Sequence, residues 1–233
     1  NFMSVKKQFS KYAKQYNNHN IIQQIAAKSI VRDITNEPKR ILELGCGSGQ
    51  IFKHISWPID FYKAIDFSAS MCELHPKASY ITVECHDFDD DSFHNSIKDE
   101  EYDLVISSSA LQWSKDLKRI VKQLSQISEQ INVALFTSNT FKTIQNITGS
   151  TSPILSQEQI KEAFLEYFNC EIEVYNYNLE FDNKKELFDY IKKSGVSGAN
   201  SKLNFKESKL LLKKYDLNYL EFEVIFIKGF AKK

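Results

Sequence analysis

A carboxylate followed by alternating glycines is the pattern in this chain with the clearest chemical potential. Glu43 closes an apolar run, and Gly45, Gly47 and Gly49 follow it at every second position. Because glycine has no Cβ, such a loop can adopt positive φ angles and let a ligand approach the backbone closely. A buried strand, this loop and a following helix together predict a site for a nucleotide-like ligand.

The type of ligand is narrowed by the spacing of the next groups. The third glycine is one position early for the GxGxxG fingerprint of dinucleotide-binding folds, which weakens the interpretation as a phosphate-binding loop. Asp66 ends the second predicted strand, where a carboxylate can accept hydrogen bonds from a ribose hydroxyl pair. That placement serves NAD and S-adenosylmethionine alike. A charge that interacts with the dipole of the following helix is the structural alternative.

An acidic run follows the third predicted strand, with carboxylates at Asp87, Asp89, Asp90 and Asp91. These charges would repel the phosphates of NADP but not a cofactor that carries a positive sulfonium. The alternative is an ordinary solvated loop. The run therefore favours a phosphate-free, cationic cofactor.

Two segments of the chain resemble a known family. Glu43–Gly49 resembles motif I of the class I S-adenosylmethionine-dependent methyltransferases, and Tyr102–Trp113 resembles their motif IV. The resemblance implies S-adenosylmethionine as the cofactor and S-adenosylhomocysteine as its product. It also implies that Asp87 accepts from the adenine amino group and that Phe88 donates its backbone N–H to the ring. The full set of implied cofactor contacts is Tyr16, Glu43, Gly45, Cys46, Gly47, Gly49, Asp66, Phe67, Met71, Asp87, Phe88, Ser107 and Gln112.

A narrower resemblance is to the malonyl-acyl-carrier-protein O-methyltransferases of biotin synthesis. It is carried by the spacing Tyr16-x-x-His19-x-x-x-Gln23, by Ala64–Met71, by Ser107–Trp113 and by Lys192–Asn200, and it covers nearly the whole chain. It implies an acidic acyl carrier protein as partner and the free carboxylate of its malonyl group as acceptor. One departure is that Gln126–Gln130 replaces the family's Pro-Gly-Gly-like turn.

A carboxylate acceptor makes few chemical demands. It is already ionised at neutral pH and needs no general base, so catalysis reduces to positioning and exclusion of water. The positioning candidates are Tyr16, His19 and Gln112. By the resemblance, Tyr16 belongs to a lid over the methyl donor, and Trp113, Lys192 and Lys193 face the substrate. Between residues 192 and 214 seven lysines accompany one acid, Glu207, which is a face that could dock an acidic carrier or an ordinary solvated helix.

The sequence leaves other functions open. A methyltransferase of the same fold could act on another carboxylate or on a carbon acceptor. From a different class, the chain could be an NAD-type reductase or a cofactor-binding protein without catalysis. The malonyl carboxylate is the favoured acceptor.

The predicted elements place these residues in an α/β fold. Strands are expected at Lys39–Leu44, Phe61–Ile65, Tyr80–Cys85, Tyr102–Ser107 and Ile131–Thr137, with helices at Ser48–Ile55, Ser68–His75 and Leu117–Ile127. This alternation predicts a doubly wound, mostly parallel seven-stranded sheet, Rossmann-like. A helix from Ser156 to Phe168 and two long strands, Cys170–Phe181 and Tyr219–Phe230, predict an antiparallel edge. Residues 1–233 are interpreted as one domain, with an N-terminal helical lid over 1–35 and a helical cap over about 183–216.

Composition limits the other possibilities. Apolar residues make up 42% of the chain, enough for a substantial core, and the formal net charge is zero, which argues against non-specific nucleic-acid binding. No apolar run is long enough to span a bilayer, and the polar start of the sequence predicts no signal peptide. Four scattered cysteines form no CxxC pair, so free thiols are expected rather than a disulfide or metal framework. A cytoplasmic monomer is the expectation.

Overall fold

Seven strands form one sheet in the protein, whose computed structural model describes residues 20–194 and 203–233, without the side chains of residues 192–194. The strands are β1 (Arg40–Leu44), β2 (Phe61–Asp66), β3 (Ile81–Cys85), β4 (Tyr102–Ser108), β5 (Ser128–Phe136), β6 (Phe168–Glu180) and β7 (Tyr219–Ala231). Their order across the sheet is β3-β2-β1-β4-β5-β7-β6. Only β7 runs against its neighbours, so the sheet is mostly parallel with antiparallel pairing at one side, as predicted.

The chain reverses its direction of winding between β1 and β4, which are neighbours in the sheet. It proceeds from β1 outward to β3, and then returns to place β4 on the other side of β1. Open α/β sheets bind their ligands at such a switch point, outside the carboxyl ends of the strands. The glycine loop directly follows β1 and therefore lies at this position.

Eight helices accompany the sheet within the described residues. They are α1 (Ile21–Arg32), α2 (Ala69–Leu74), α3 (Asp91–Ile97), α4 (Leu117–Ile127), α5 (Lys142–Thr148), α6 (Gln157–Tyr167), α7 (Lys184–Ser194) and α8 (Phe205–Lys214). Short 3₁₀ turns occur at Phe52–His54 and Leu111–Trp113.

Two apolar clusters cover the two faces of the sheet, which explains why its inner strands are apolar almost throughout. Alternate residues of a strand point to opposite faces. In β1, Ile41 joins a cluster with α1 and the α7–α8 region, whereas Leu42 and Leu44 join a second cluster with α4 and α6. Glu43 therefore points to the same face as Ile41.

The segment between β6 and β7 begins and ends at the carboxyl edge of the sheet. β6 runs parallel to β5 and ends at that edge with Glu180, and the antiparallel β7 starts there with Tyr219. The helices α7 and α8 lie between these points, and α8 packs on α5, which itself follows the carboxyl end of β5. A capping box begins α8: Asn204 Oδ1 accepts from Glu207 N at 2.8 Å, and Glu207 Oε2 accepts from Asn204 N at 2.9 Å.

The predicted helix over Ser48–Ile55 is wrong. Turns and the single 3₁₀ turn Phe52–His54 occupy this segment. Gly45, Gly47 and Gly49 all have positive φ (72°, 51° and 104°), so the chain cannot enter a right-handed helix before residue 50. Pro58 then disfavours helical geometry at Trp57, whose Nε1 donates to the Pro38 carbonyl at 2.8 Å.

Smaller differences concern the ends of elements. The helix α4 passes directly into β5, so Gln126–Gln130 is divided between a helix and a strand and forms no separate loop. The helices α3 and α5 were not predicted, because each has only about two turns and too short an apolar pattern to recognise. Of the expected N-terminal lid, residues 1–19 lie outside the described part of the chain.

Candidate active site at the carboxyl edge of the sheet

The strand register brings the predicted site residues to one edge. Leu44 pairs with Ile65 on one side and with Ser107 on the other, so β1, β2 and β4 end together. The backbone N–H groups of Gly45 and Cys46 donate to the Ile65 carbonyl at 2.8 and 3.0 Å. These bonds fix the start of the glycine loop against β2.

The three glycines of the loop differ in their surroundings. A Cβ on Gly45 would overlap the Cβ of Ala110, and one on Gly49 would lie 2.7 Å from Pro76 Cδ. A Cβ on Gly47 would meet nothing within 4 Å. Gly45 and Gly49 are therefore required by close packing, whereas Gly47 borders open space in which a ligand can approach the backbone.

Asp66 is held by backbone N–H groups of the glycine loop and of the segment after β2. Its Oδ2 accepts from Gly47 N and its Oδ1 from Ser68 N, both at 2.9 Å, and the residue is only 7% exposed. A carboxylate oxygen has room for two donors, so each keeps a free acceptor position. The group is thus oriented in advance and can still accept two hydroxyls.

Two exposed apolar side chains follow Asp66 in the chain. Phe67 is 77% exposed and Met71 is 40% exposed, although both are large and apolar. The Asp87 side chain is exposed and accepts from Asp89 N at 2.9 Å. Phe88 packs edge-on against Phe93 and would approach a Cβ on Gly45 to 3.9 Å. Phe88 therefore adjoins the glycine loop, and the apolar side chains offer a surface for a flat ring.

At the end of β4 the polar groups are buried. Ser107 Oγ donates to the Leu44 carbonyl at 2.7 Å, which ties β4 to β1 and commits the only hydroxyl proton. Gln112 is 2% exposed, and its Oε1 has no hydrogen-bond partner in the described part of the chain. Trp113 is partly exposed beside it. An unpartnered buried amide oxygen is unusual and is a natural acceptor for a donor on a ligand.

The carboxyl group of Glu43 is buried behind the glycine loop. Glu43 is fully buried, and Tyr62 donates its hydroxyl to Glu43 Oε2 at 2.9 Å. Burial raises the pKa of Glu43 to about 8, because loss of hydration disfavours the carboxylate more than the Tyr62 hydrogen bond favours it. Cys46 lies next to this group and is also buried. Glu43 and Cys46 therefore lie on the buried side of the glycine loop.

Several predicted residues cannot be placed. Tyr16 and His19 lie outside the described residues. Lys192 and Lys193 belong to the end of α7, and the structure describes only their backbone. Their assigned roles stay predictions.

Sequence patterns missed some groups at this edge. Ala110 closes on Gly45, and Glu223 of β7 accepts from Thr137 Oγ1 at 2.7 Å, from Asn139 Nδ2 at 3.1 Å and from Gln157 Nε2 at 3.2 Å. These partners are far apart in the chain, and no motif joins them. Only the pairing of β5 with β7 reveals the contact.

The residues present suit S-adenosylmethionine. An oriented carboxylate at the end of β2 matches a ribose, exposed apolar side chains match an adenine, and the acidic edge matches a positive sulfonium. The open space beside Gly47 leaves the backbone accessible to the remainder of the molecule.

Comparison with known proteins agrees with this geometry. Residues 42–130 match the family described as a methyltransferase domain. This range begins in β1 and ends in β5, so it includes the glycine loop, Asp66, the acidic run and the end of β4.

Two curated relatives carry the same name. The chain is 28% identical over 163 residues to the malonyl-[acyl-carrier protein] O-methyltransferase of Anoxybacillus flavithermus, a match that covers 68% of this chain and 61% of that protein. It is 25% identical over 229 residues to the enzyme of the same name from Bacillus anthracis, covering 84% and 81%. The chain thus spans less than two thirds of the first relative and about four fifths of the second.

Solved structures share the fold at low identity. The YcgJ protein of Bacillus subtilis matches with a TM-score of 0.59 at 10% identity, over 89% of this chain and 98% of that one. Phosphoethanolamine N-methyltransferase 2 of Haemonchus contortus, solved with S-adenosylhomocysteine, matches with a TM-score of 0.54 at 15% identity, over 98% and 58%.

None of the helices within residues 20–194 and 203–233 has the length and apolar character required to cross a bilayer. The family match and the sheet topology both indicate S-adenosylmethionine as the cofactor. Residues 42–130 match the methyltransferase-domain family, the sheet has the fold of the class I S-adenosylmethionine-dependent methyltransferases, and the chain resembles the malonyl-[acyl-carrier protein] O-methyltransferases.

Proposed function

We propose that the protein methylates the free carboxylate of a malonyl group carried on an acyl carrier protein, an early step of biotin synthesis. The proposal joins the methyltransferase domain to the acceptor named in the relatives from A. flavithermus and B. anthracis. A carboxylate acceptor also requires no general acid or base among the side chains of the site.

The chain's own residues would act by binding and orientation. S-adenosylmethionine supplies an electrophilic methyl group on a positively charged sulfur. Asp66 would accept the ribose hydroxyls, Phe67 would cover the adenine, and Gln112 Oε1 would accept a donor near the reacting end. The malonyl carboxylate is ionised at neutral pH, so no side chain has to remove a proton. Alignment and exclusion of water then provide the rate enhancement.

The observation that carries the acceptor proposal is the position of α8. This helix lies between two strand ends at the ligand edge of the sheet, and Lys206, Lys209 and Lys213 are all exposed along it. Phe205 and Leu212 are also exposed, at 86% and 62%. A surface with both lysines and large apolar side chains suits an acidic helical carrier protein, because charge steers the encounter and apolar contact holds the complex.

The proposed lid and cap would enclose the acceptor. The helix α1, which follows Tyr16 and His19 in the chain, packs on β4 and β5. We propose that residues 1–35 form the lid, with Tyr16 over the methyl donor and His19 near the acceptor. We propose residues 183–216 as the cap, with Trp113, Lys192 and Lys193 on the acceptor side.

A methyl-transfer assay with labelled S-adenosylmethionine tests the function. Malonyl-acyl-carrier protein, malonyl-coenzyme A and free malonate are compared at equal concentration. We expect the carrier-bound substrate to be methylated with the highest kcat/KM and free malonate to be the poorest acceptor. Equal rates with the carrier protein and coenzyme A would remove the partner proposal. Tight S-adenosylhomocysteine binding without transfer to any of the three would point to another acceptor.

A further inference from the structure

Three buried side chains converge beneath the glycine loop, and no role has been assigned to them as a group. They are Glu43 in β1, Cys46 in the loop and His75 directly after α2. One carboxylate oxygen, the Cys46 Sγ and a ring nitrogen of His75 all lie within 4.8 Å of one another. The residues are 0%, 3% and 2% exposed.

Two of these groups have a buried polar atom with no partner. Glu43 Oε1 and His75 Nε2 make no hydrogen bond in the described part of the chain. Unpaired polar atoms at such depth are rare in native structures, because each loses its hydration without gaining a hydrogen bond. Two such atoms on side chains of one cluster point to a missing shared partner.

The second polar atom of each side chain has its own hydrogen bond, which leaves Glu43 Oε1 and His75 Nε2 available to a ligand. His75 Nδ1 lies 2.9 Å from the Pro76 carbonyl, which can only accept, so Nδ1 carries the proton and the neutral ring presents the Nε2 lone pair. Tyr62 donates to Glu43 Oε2, which leaves Oε1 free. Outer hydrogen bonds of this kind fix the orientation of ligands around a protein-bound metal.

The surroundings are apolar and aromatic. Tyr62 stacks on the His75 ring at 6.1 Å, and Phe52 lies 5.8 Å from the same ring. A Cβ on Gly49 would lie 3.6 Å from His75 Cδ2, so the loop itself closes over the imidazole. A divalent ion here would be neutralised by one carboxylate and one thiolate, which satisfies the rule that buried charges are paired.

We propose that Glu43 Oε1, Cys46 Sγ and His75 Nε2 bind a divalent transition-metal ion of the zinc class. Mixed oxygen, nitrogen and sulfur ligands suit zinc, which binds Cys, His and carboxylate groups in tetrahedral geometry. The ligands come from β1, the glycine loop and the segment after α2, so the ion would clamp the inner side of the cofactor loop. The role is structural and separate from methyl transfer.

Metal binding to the full chain tests the site independently of any acceptor. The purified protein is stripped with a chelator, dialysed and titrated with Co²⁺ and, in competition, with Zn²⁺. We expect about one equivalent of Co²⁺ to bind, with a thiolate-to-cobalt charge-transfer band that Zn²⁺ abolishes. Binding well below one equivalent, or Co²⁺ binding without the thiolate band, would overturn the proposal.

Matched variants identify the ligands. Cys46→Ser and His75→Gln are compared with Cys170→Ser and His94→Gln, which change a thiol and a buried imidazole outside the cluster. We expect at least tenfold weaker Co²⁺ binding in the first pair and unchanged binding in the second. Circular dichroism and a cooperative thermal unfolding transition verify that each variant is folded. If His75→Gln does not fold, Cys46→Ser decides: retention of the thiolate band in that variant would refute the site.

Discussion

The glycines of the cofactor loop are alike in sequence but not in what they do. Gly45 and Gly49 sit against Ala110 and Pro76, and so their missing Cβ atoms serve internal packing. Only Gly47 faces open space. The alternating pattern therefore combines two requirements, a closed turn and an accessible backbone, that a sequence cannot separate.

Gly45→Ala should destabilise the protein and impair cofactor binding. Alanine at a φ of 72° costs about 1–2 kcal/mol, and overlap with Ala110 adds about 1–3 kcal/mol. Gly149→Ala is the matched control, because Gly149 has a φ of 70° but no atom within 4 Å of its added Cβ. Urea unfolding should show a loss of only about 1–2 kcal/mol for the control. Equal losses of unfolding free energy in both variants would mean that Ala110 moves aside without an energetic penalty.

Asp66→Ala should weaken S-adenosylhomocysteine binding by about 10- to 100-fold, as expected for the loss of hydrogen bonds to a charged group. Asp103→Ala is the control at the opposite edge of the sheet, where Asp103 Oδ2 accepts from the backbone N–H groups of Lys39 and Arg40 at 2.9 and 2.8 Å. Both variants lose a carboxylate that holds two backbone groups. Calorimetry should detect weaker S-adenosylhomocysteine binding in Asp66→Ala alone. Equal affinities of the two variants would show that the cofactor does not bind at Asp66.

Sequence could predict part of the site at this scale. Asp66 and the glycines follow strands in a recognisable order, so their convergence at one edge follows from a parallel sheet. The partners Tyr62, His75 and Ala110 could not be foreseen, because no spacing relates them to the loop. His75 lies beneath Gly49 only because α2 is short and returns the chain to that place.

Elements were predictable where their patterns were long. The helix α4 has the expected bounds Leu117–Ile127, since its apolar residues recur on one face over three turns. The helix predicted after Gly49 was wrong. It was expected because the motif usually has strand–loop–helix order, whereas the positive φ angles of the glycines and Pro58 limit this segment to one 3₁₀ turn. Local backbone geometry outweighed the motif there.

The proposed docking role of α8 can be tested by reversing the charge of its exposed lysines. Lys206, Lys209 and Lys213 are exposed along one helix, so changing all three to Glu reverses its potential. We expect KM for malonyl-acyl-carrier protein to rise at least tenfold at low salt, with the effect shrinking as ionic strength increases. The KM for malonyl-coenzyme A should change much less, because it offers no acidic helix.

The control for this reversal keeps the total charge change the same. Lys98, Lys122 and Lys233 are also exposed but lie outside α8. Their replacement by Glu should leave KM for the carrier protein nearly unchanged. A similar rise in both triple variants would trace the effect to overall charge and not to a docking surface.

Over the whole molecule the cofactor site depends on distant parts of the chain held in register. The ends of β1, β2 and β4 meet at Leu44, Ile65 and Ser107, and the acidic run after β3 completes the edge. A ligand that spans these ends binds the folded state alone, so its free energy adds to the stability of the complete sheet.

S-adenosylhomocysteine at a hundredfold excess over its Kd should stabilise the folded protein by about 2.7 kcal/mol. For a chain of this size that corresponds to a rise in Tm of roughly 5–10 °C. NADP at the same concentration should leave Tm unchanged, because Asp87 and its acidic neighbours repel phosphate. Differential scanning calorimetry measures both. A shift with NADP that equals the shift with S-adenosylhomocysteine would show that the acidic run does not select against a phosphate-bearing ligand.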